Sequence, residues 1–210
     1  MVVLLTGVGT RALAAAVRAS CPDFPALLGR VPVVARGPKP LAALRELGVA
    51  GARPVAAPHT WREVLAVIDD LAPPRSALIA VQEYGAAPTA LLDALEARGF
   101  AVLPVAVYRW ELPADTGPLR AGAARIAGGD ADVAVFTSAA QVEHLFRVAA
   151  DTSALRAGLR RTVVASIGPV TSEALEAHGV DVDLEADPPK LGPLVALLAE
   201  RAGAVLATKR

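Results

Sequence analysis

Short, uninterrupted apolar runs alternate along this chain with longer stretches in which leucine, valine and alanine recur every three or four positions. Runs such as Val3-Leu4-Leu5, the ALIAV ending at Val81 and the AVLPV ending at Val105 have no polar alternation, the pattern of strands buried on both faces. Leu41, Leu44 and Leu47, and later Leu194, Leu197 and Leu198, fall at helical spacing. Strand–helix alternation of this kind predicts an α/β protein with parallel sheets and helices on both sides.

The pattern repeats. Val3-Leu4-Leu5-Thr6-Gly7 resembles Ala134-Val135-Phe136-Thr137-Ser138, and Thr6 and Thr137 stand 131 positions apart. VVARGPKPLAALRELGV, from Val33 to Val49, matches VASIGPVTSEALEAHGV, from Val164 to Val180, at the same offset, pairing Gly37 with Gly168, Pro38 with Pro169 and Gly48 with Gly179. Each copy reads as strand, small-residue turn, helix, strand, Gly-Pro turn, helix, glycine, strand and final helix. Residues 76–108 between them read as strand, helix and strand, leading into the second copy. The first copy has no such lead-in, since Met1 stands just before its first strand. Prolines, a glycine and acidic residues interrupt the periodicity over RWELPADTGP, Arg109 to Pro118, so two domains are expected, residues 1–109 and 110–210.

Composition narrows the function classes. Lysine plus arginine equals aspartate plus glutamate at 21 each, so no global field draws the chain to nucleic acid or an anionic membrane, and an anionic ligand must be held locally. Cys21 is the single cysteine, which forbids an internal disulfide or a thiolate cluster and makes the cytoplasm the simplest compartment. The apolar N-terminus lacks the basic region of a signal peptide, and no uncharged run approaches the roughly 18 residues that cross a bilayer. His59, His144 and His178 show no metal-ligand spacing, so no metal is expected and the histidines read as surface or helix-terminal positions.

Candidate chemistry gathers at the strand-to-helix turns. Thr6-Gly7 and Thr137-Ser138, with Gln141 one turn on, sit where the carboxyl edge of a parallel sheet meets a helix start, and unpaired N–H groups there can hold a carboxylate or phosphate. The same threonine and serine can equally be plain helix caps. Gly37-Pro38 and Gly168-Pro169 place proline at the first helical position, either for initiation alone or as further ligand turns, with Arg36 beside one and Thr171 inside the other. TGVGTR is only a fragment of a phosphate loop, which disfavours a nucleotide-dependent transferase. Tyr108 ends a strand at the inferred boundary, where a phenol can donate a proton or simply pack; Tyr84, before Gly85, is a second residue of that kind.

VAVYRWELP, DVAVFTSAAQVEHLF and VVASIGPVTSEALEAHGV together resemble the uroporphyrinogen-III synthase family, and LLTGVGTRAL resembles its earlier, degenerate turn. The resemblance implies two flavodoxin-like or Rossmann-like domains joined by a two-strand linker, with a cleft site between them. It implies that residues 1–109 are the family's inserted domain and that 110–210 lacks an opening strand-helix, through truncation or a misassigned start. The implied activity is cyclisation of hydroxymethylbilane to uroporphyrinogen III, with inversion of ring D and loss of water, by a cytoplasmic monomer without cofactor. Tyr108 would assist the leaving hydroxyl. Thr6, Gly7, Arg36, Gly37, Tyr84, Gly85, Thr137, Ser138, Gln141, Gly168, Pro169 and Thr171 would grip the substrate, although Gly7 stands where many members have serine. The competing reading is a non-catalytic module that binds a tetrapyrrole or another anionic small molecule.

Overall fold

A computed structural model describes residues 1–209 of the chain, which divides into two compact units, Met1–Trp110 and Glu111–Arg210. In the first, β1 (Val2–Leu4), β2 (Val33–Ala35), β3 (Arg53–Pro54), β4 (Leu78–Gln82) and β5 (Ala101–Val105) form one sheet in the order β3-β2-β1-β4-β5. All four pairings are parallel. Alternate residues serve opposite faces: Leu4, Val33 and Ala35 pack with α1 (Gly7–Val17), α2 (Phe24–Leu28) and α3 (Pro38–Glu46). Val3, Val34, Ile79 and Val81 pack instead with α4 (Trp61–Leu71) and α5 (Thr89–Ala97). Covering both faces is what lets β1, β2 and the interior of β4 be apolar, whereas β5, at the sheet edge, is largely exposed, with Leu103 48% exposed, and does not meet the expectation of burial on both faces.

The second unit contains α6 (Gly117–Gly128), β6 (Val133–Phe136), α7 (Ala139–Val148), α8 (Thr152–Arg161), β7 (Val163–Ser166), α9 (Pro169–Ala177), β8 (Leu184–Glu185) and α10 (Leu191–Lys209). Its sheet has three parallel strands, ordered β6-β7-β8. One face, with Ala134, Phe136 and Val164, is covered by α6 to α9, and on the other Val163, Ala165 and Leu184 pack with α10. α10 is long and apolar enough to cross a membrane by length and composition, contrary to the reading of short apolar runs. It carries Glu200 and Arg201 near its middle, while Leu194, Leu197, Leu198 and Val205 face the unit's own sheet. Its last turn is tied down by Lys209, whose Nζ donates to Thr162 O at 2.8 Å and pairs with Asp183.

The two copies match, with one correction to their register. Gly37 and Gly168 each precede a helix with proline at its first position, and Gly48 and Gly179 share φ of +72°, the left-handed conformation glycine adopts without steric cost. That offset is 131. At the first turn, however, the cap of α1 is Thr6 and the cap of α7 is Ser138, an offset of 132, so Thr137 is the counterpart of Leu5 rather than of Thr6. Short identical residue types drew the alignment one place off; the side-chain directions decide it. Leu4 and Phe136 both face the first-turn helices, and Val3 corresponds to Val135. Val3 is fully buried beneath α4 and α5, whereas Val135 is 45% exposed on β6, whose outer side has no strand among the described residues. The two linking strands implied by the resemblance are also not seen, since residues 106–116 contain no strand.

Helices α6 and α8 cross closely at Gly158, where an added Cβ would lie 2.0 Å from Ile126 O. Gly158→Ala should therefore lower stability by about 1–3 kcal/mol. Gly203 in α10 has nothing within 4 Å of such a carbon, and Gly203→Ala should raise stability by about 0.5–1 kcal/mol. Urea midpoints followed by far-ultraviolet circular dichroism check both, and equal shifts for the two variants would contradict this account of the crossing.

Candidate functional site

In the first unit the carboxyl ends of β1, β2, β4 and β5 deliver Thr6, Arg36, Tyr84 and Tyr108 to one edge. Besides accepting at its carbonyl from the Thr10 N–H and hydroxyl, Thr6 makes three contacts there. Its Oγ1 accepts from Gly9 N at 3.0 Å and caps α1, and its backbone N–H donates to Gln82 Oε1 at 3.2 Å. The Thr6 hydroxyl also lies 3.3 Å from the Tyr108 hydroxyl. Gln82, only 1% exposed, is held in turn by donating to Glu83 O. Gly9 leaves room for that amide, as a Cβ would fall 2.0 Å from Gln82 Nε2. Gly7 is excluded from carrying a side chain by packing, because a Cβ would lie 2.6 Å from Lys39 O in α3. The hydroxyl that caps the turn is thus supplied by Thr6, and the glycine after it belongs to the α1–α3 contact.

Arg36 sits over the Tyr84 ring at 5.2 Å. Burial lowers its guanidinium from the ordinary value, with Tyr84 and Tyr108 acting in the opposite direction. An arginine stays protonated regardless, so this edge carries a partly desolvated positive charge. Gly85, at φ +89°, lets Trp110 close over the end of β4, and an added Cβ would meet Trp110 Cδ1 at 2.4 Å and Tyr108 Cε2 at 2.8 Å. Trp110 donates from Nε1 to Tyr84 O at 2.8 Å and stands edge-to-face with Tyr108, ring centroids 5.9 Å apart. The phenol is therefore aimed by an indole and a hydroxyl together. Gly37 opens α3 and packs against the His59 ring, 3.6 Å from where its Cβ would be.

Gln82 and Trp110 were not singled out from the sequence, and His59 was read there only as a surface or helix-terminal position, the latter of which fits its place just before the Thr60 cap. A buried glutamine ending an apolar strand was the available signal for Gln82, and the turn preceding a Thr-x-x-Glu cap for His59.

The second unit presents its own edge. Ser138 caps α7, and Thr137 donates to Gln141 Oε1 from its N–H at 2.7 Å and its hydroxyl at 3.2 Å. β7 is the neighbouring strand, and its turn runs through Gly168 into Pro169, with Thr171 buried and its N–H on Gly168 O at 3.0 Å. Ser166 Oγ donates to Gly168 O and accepts from Gly168 N, while Ser172 donates to Glu185. A Cβ on Gly168 would come within 2.7 Å of Pro189 Cβ, so this turn is tightly closed by the segment after β8. The residues singled out from the sequence thus form two sets: Thr6, Gly7, Arg36, Gly37, Tyr84, Gly85 and Tyr108 in one unit, and Thr137, Ser138, Gln141, Gly168, Pro169 and Thr171 in the other. Among the described residues no group of three or more His, Cys, Asp or Glu side chains gathers as a metal site.

Known proteins resemble this chain in sequence and fold. The family model described as uroporphyrinogen-III synthase HemD matches residues 1–196. A Methanothermobacter thermautotrophicus protein named "Putative uroporphyrinogen-III synthase" is 41% identical over 87 residues, which is 41% of this chain and 34% of that one. YjjA of Bacillus subtilis is 27% identical over 85% of this chain and 66% of its own length. The matches therefore span less than two thirds of either relative. A crystal structure of a mutant uroporphyrinogen III synthase from Thermus thermophilus is 31% identical, matches over 98% of this chain and 78% of its own, and superposes with a TM-score of 0.73. The Helicobacter pylori synthetase, at 14% identity, shares the fold with a TM-score of 0.55. With that match running through nearly every element described above, the chain belongs to the uroporphyrinogen-III synthase HemD family.

Proposed function

We propose that the chain cyclises hydroxymethylbilane to uroporphyrinogen III, inverting ring D and releasing water. The observation that carries this reading is the Thr6–Tyr108 hydroxyl pair at the N-terminus of α1, beside the Arg36–Tyr84 contact. The substrate bears many carboxylates. The guanidinium and the unpaired N–H groups of a helix start suit them without any cofactor.

The chemistry asks mainly for orientation. The hydroxymethyl C–O bond breaks, a proton passed from the Tyr108 phenol makes the leaving group water, and the pyrrole nitrogen's electrons stabilise the azafulvene cation. The substituted carbon of ring D attacks it to give a spiro intermediate, which fragments and recloses; the proton lost at aromatisation restores the phenol. Without a template the linear substrate closes to the other isomer, so holding ring D in place accounts for most of the selectivity, and such positioning can supply several kcal/mol. Thr6 contributes by fixing the phenol's direction. The turns at Ser138 and Gly168 are proposed as further carboxylate grips, with Thr137, Gln141, Pro169 and Thr171 shaping them. A monomer in the cytoplasm accompanies this reading, the compartment on the ground of the single thiol and the monomer as part of the family resemblance.

Incubation with enzymatically made hydroxymethylbilane, followed by chromatographic separation of the type I and type III products, tests it: type III should dominate. Binding without conversion would favour the non-catalytic module instead. Tyr108→Phe should lower kcat on the order of 10²-fold, and unchanged turnover and isomer ratio would remove the phenol from the mechanism. Arg36→Ala should raise KM roughly tenfold or more with a smaller effect on kcat, the loss of one charge-assisted hydrogen bond; an unaltered KM would show that no carboxylate rests there.

A further inference from the structure

The first unit's edge is rich in donors: the Arg36 guanidinium, the α1 N–H groups and two phenols. His59 supplies what they lack. It follows β3, and Val55 N donates to Ala35 O at 3.1 Å, which sets this segment beside the end of β2 and hence beside Arg36. The imidazole Nδ1 lies 2.9 Å from Val55 O. A carbonyl only accepts, so Nδ1 carries a proton, and in the neutral ring this leaves Nε2 with a lone pair. The Cγ, Nδ1 and Cδ2 atoms face Gly37, at 3.6–3.8 Å from its absent Cβ, so Nε2 is directed away from that backbone, and it has no partner among the described residues.

The backbone holds the ring there at a cost. His59 has φ of +62°, a conformation that a residue with a Cβ adopts only under constraint, and such residues concentrate at functional sites. The constraint is visible on its C-terminal side. Thr60 caps α4 in a reciprocal box, its N–H donating to Glu63 Oε2 at 2.7 Å and its hydroxyl accepting from Arg62 N at 3.2 Å.

We infer that His59 is a ligand-contacting residue whose Nε2 accepts a hydrogen bond from a pyrrole N–H, orienting a ring whose carboxylates rest on Arg36. The choice of a pyrrole rests on the tetrapyrrole reading above; the acceptor itself rests on the Val55 contact. A purely anionic ligand has no use for a lone pair at this position, whereas a bilane presents both N–H donors and carboxylates.

The test needs no turnover. Pyrrole-3,4-dicarboxylate and furan-3,4-dicarboxylate have similar shape and charge and differ in the ring N–H. Titrated into the full chain and followed by amide chemical shifts, the pyrrole should bind roughly three- to tenfold more tightly than the furan, the worth of one neutral hydrogen bond. His59→Asn tolerates the left-handed backbone and keeps an amide donor for Val55 O while removing Nε2. It should abolish the preference and leave furan binding and the melting temperature unchanged, whereas Arg36→Ala should weaken both ligands alike. Equal binding of the two ligands by the wild-type chain overturns the inference, and so does a preference that survives His59→Asn. If His59→Asn unfolds early, the wild-type comparison decides alone. A chain that shows the preference but makes no type III product would sink the cyclase reading and leave this one standing.

Discussion

A single threonine hydroxyl connects the parts of the first unit. Thr6 follows β1 by two residues; its Oγ1 caps α1 through Gly9 and meets the Tyr108 phenol after β5, while its N–H is fixed by a buried glutamine from β4. Strand, helix and distal tyrosine are thereby joined within one hydrogen-bond network inside a sheet that has little freedom to adjust. The glycines around it follow from this crowding. Gly9 makes room for the Gln82 amide, Gly7 for the carbonyl of Lys39 and Gly85 for Trp110, so three positions without side chains surround the one position where a side chain is indispensable.

The same economy would let such an edge take the polycarboxylate proposed above with few charged side chains. Parallel sheets point their strand ends and helix starts the same way, so main-chain donors accumulate at one rim. Arg36 then needs only to add a localised charge, and Tyr84 holds it by its face while burial strips part of its hydration. In the second unit the rim is organised differently, with serine and threonine hydroxyls and Gln141 closing the turns and Pro189 packed against Gly168.

Much of this was legible in the sequence because it is local. The Gly-Pro helix starts, the left-handed glycines that end those helices and the uninterrupted strand runs each depend on a few neighbouring residues, and they recur where the pattern placed them. What escaped depends on partners far away in the chain. Gln82 reads as an ordinary polar residue until Thr6, 76 positions earlier, meets it, and His59 looks like a surface histidine until Val55 and Gly37 enclose it. The cap register failed for another reason: a Thr-small pair occurs in both copies, and only the direction of each strand's side chains distinguishes Thr137 from Ser138 as the cap. The helices α2 and α8 carried too short or too polar a signal to be separated from the connections around them.

From first cap to second turn the copies differ by one residue, 31 positions from Thr6 to Gly37 against 30 from Ser138 to Gly168. The connection that absorbs it contains a five-residue helix in one copy and a ten-residue helix in the other. The one-residue difference thus lies in the bridge between two turns, each of which opens a helix in both copies. The halves therefore superpose turn by turn and not as rigid wholes, since a single gapless overlay would set one cap's hydroxyl against its neighbour.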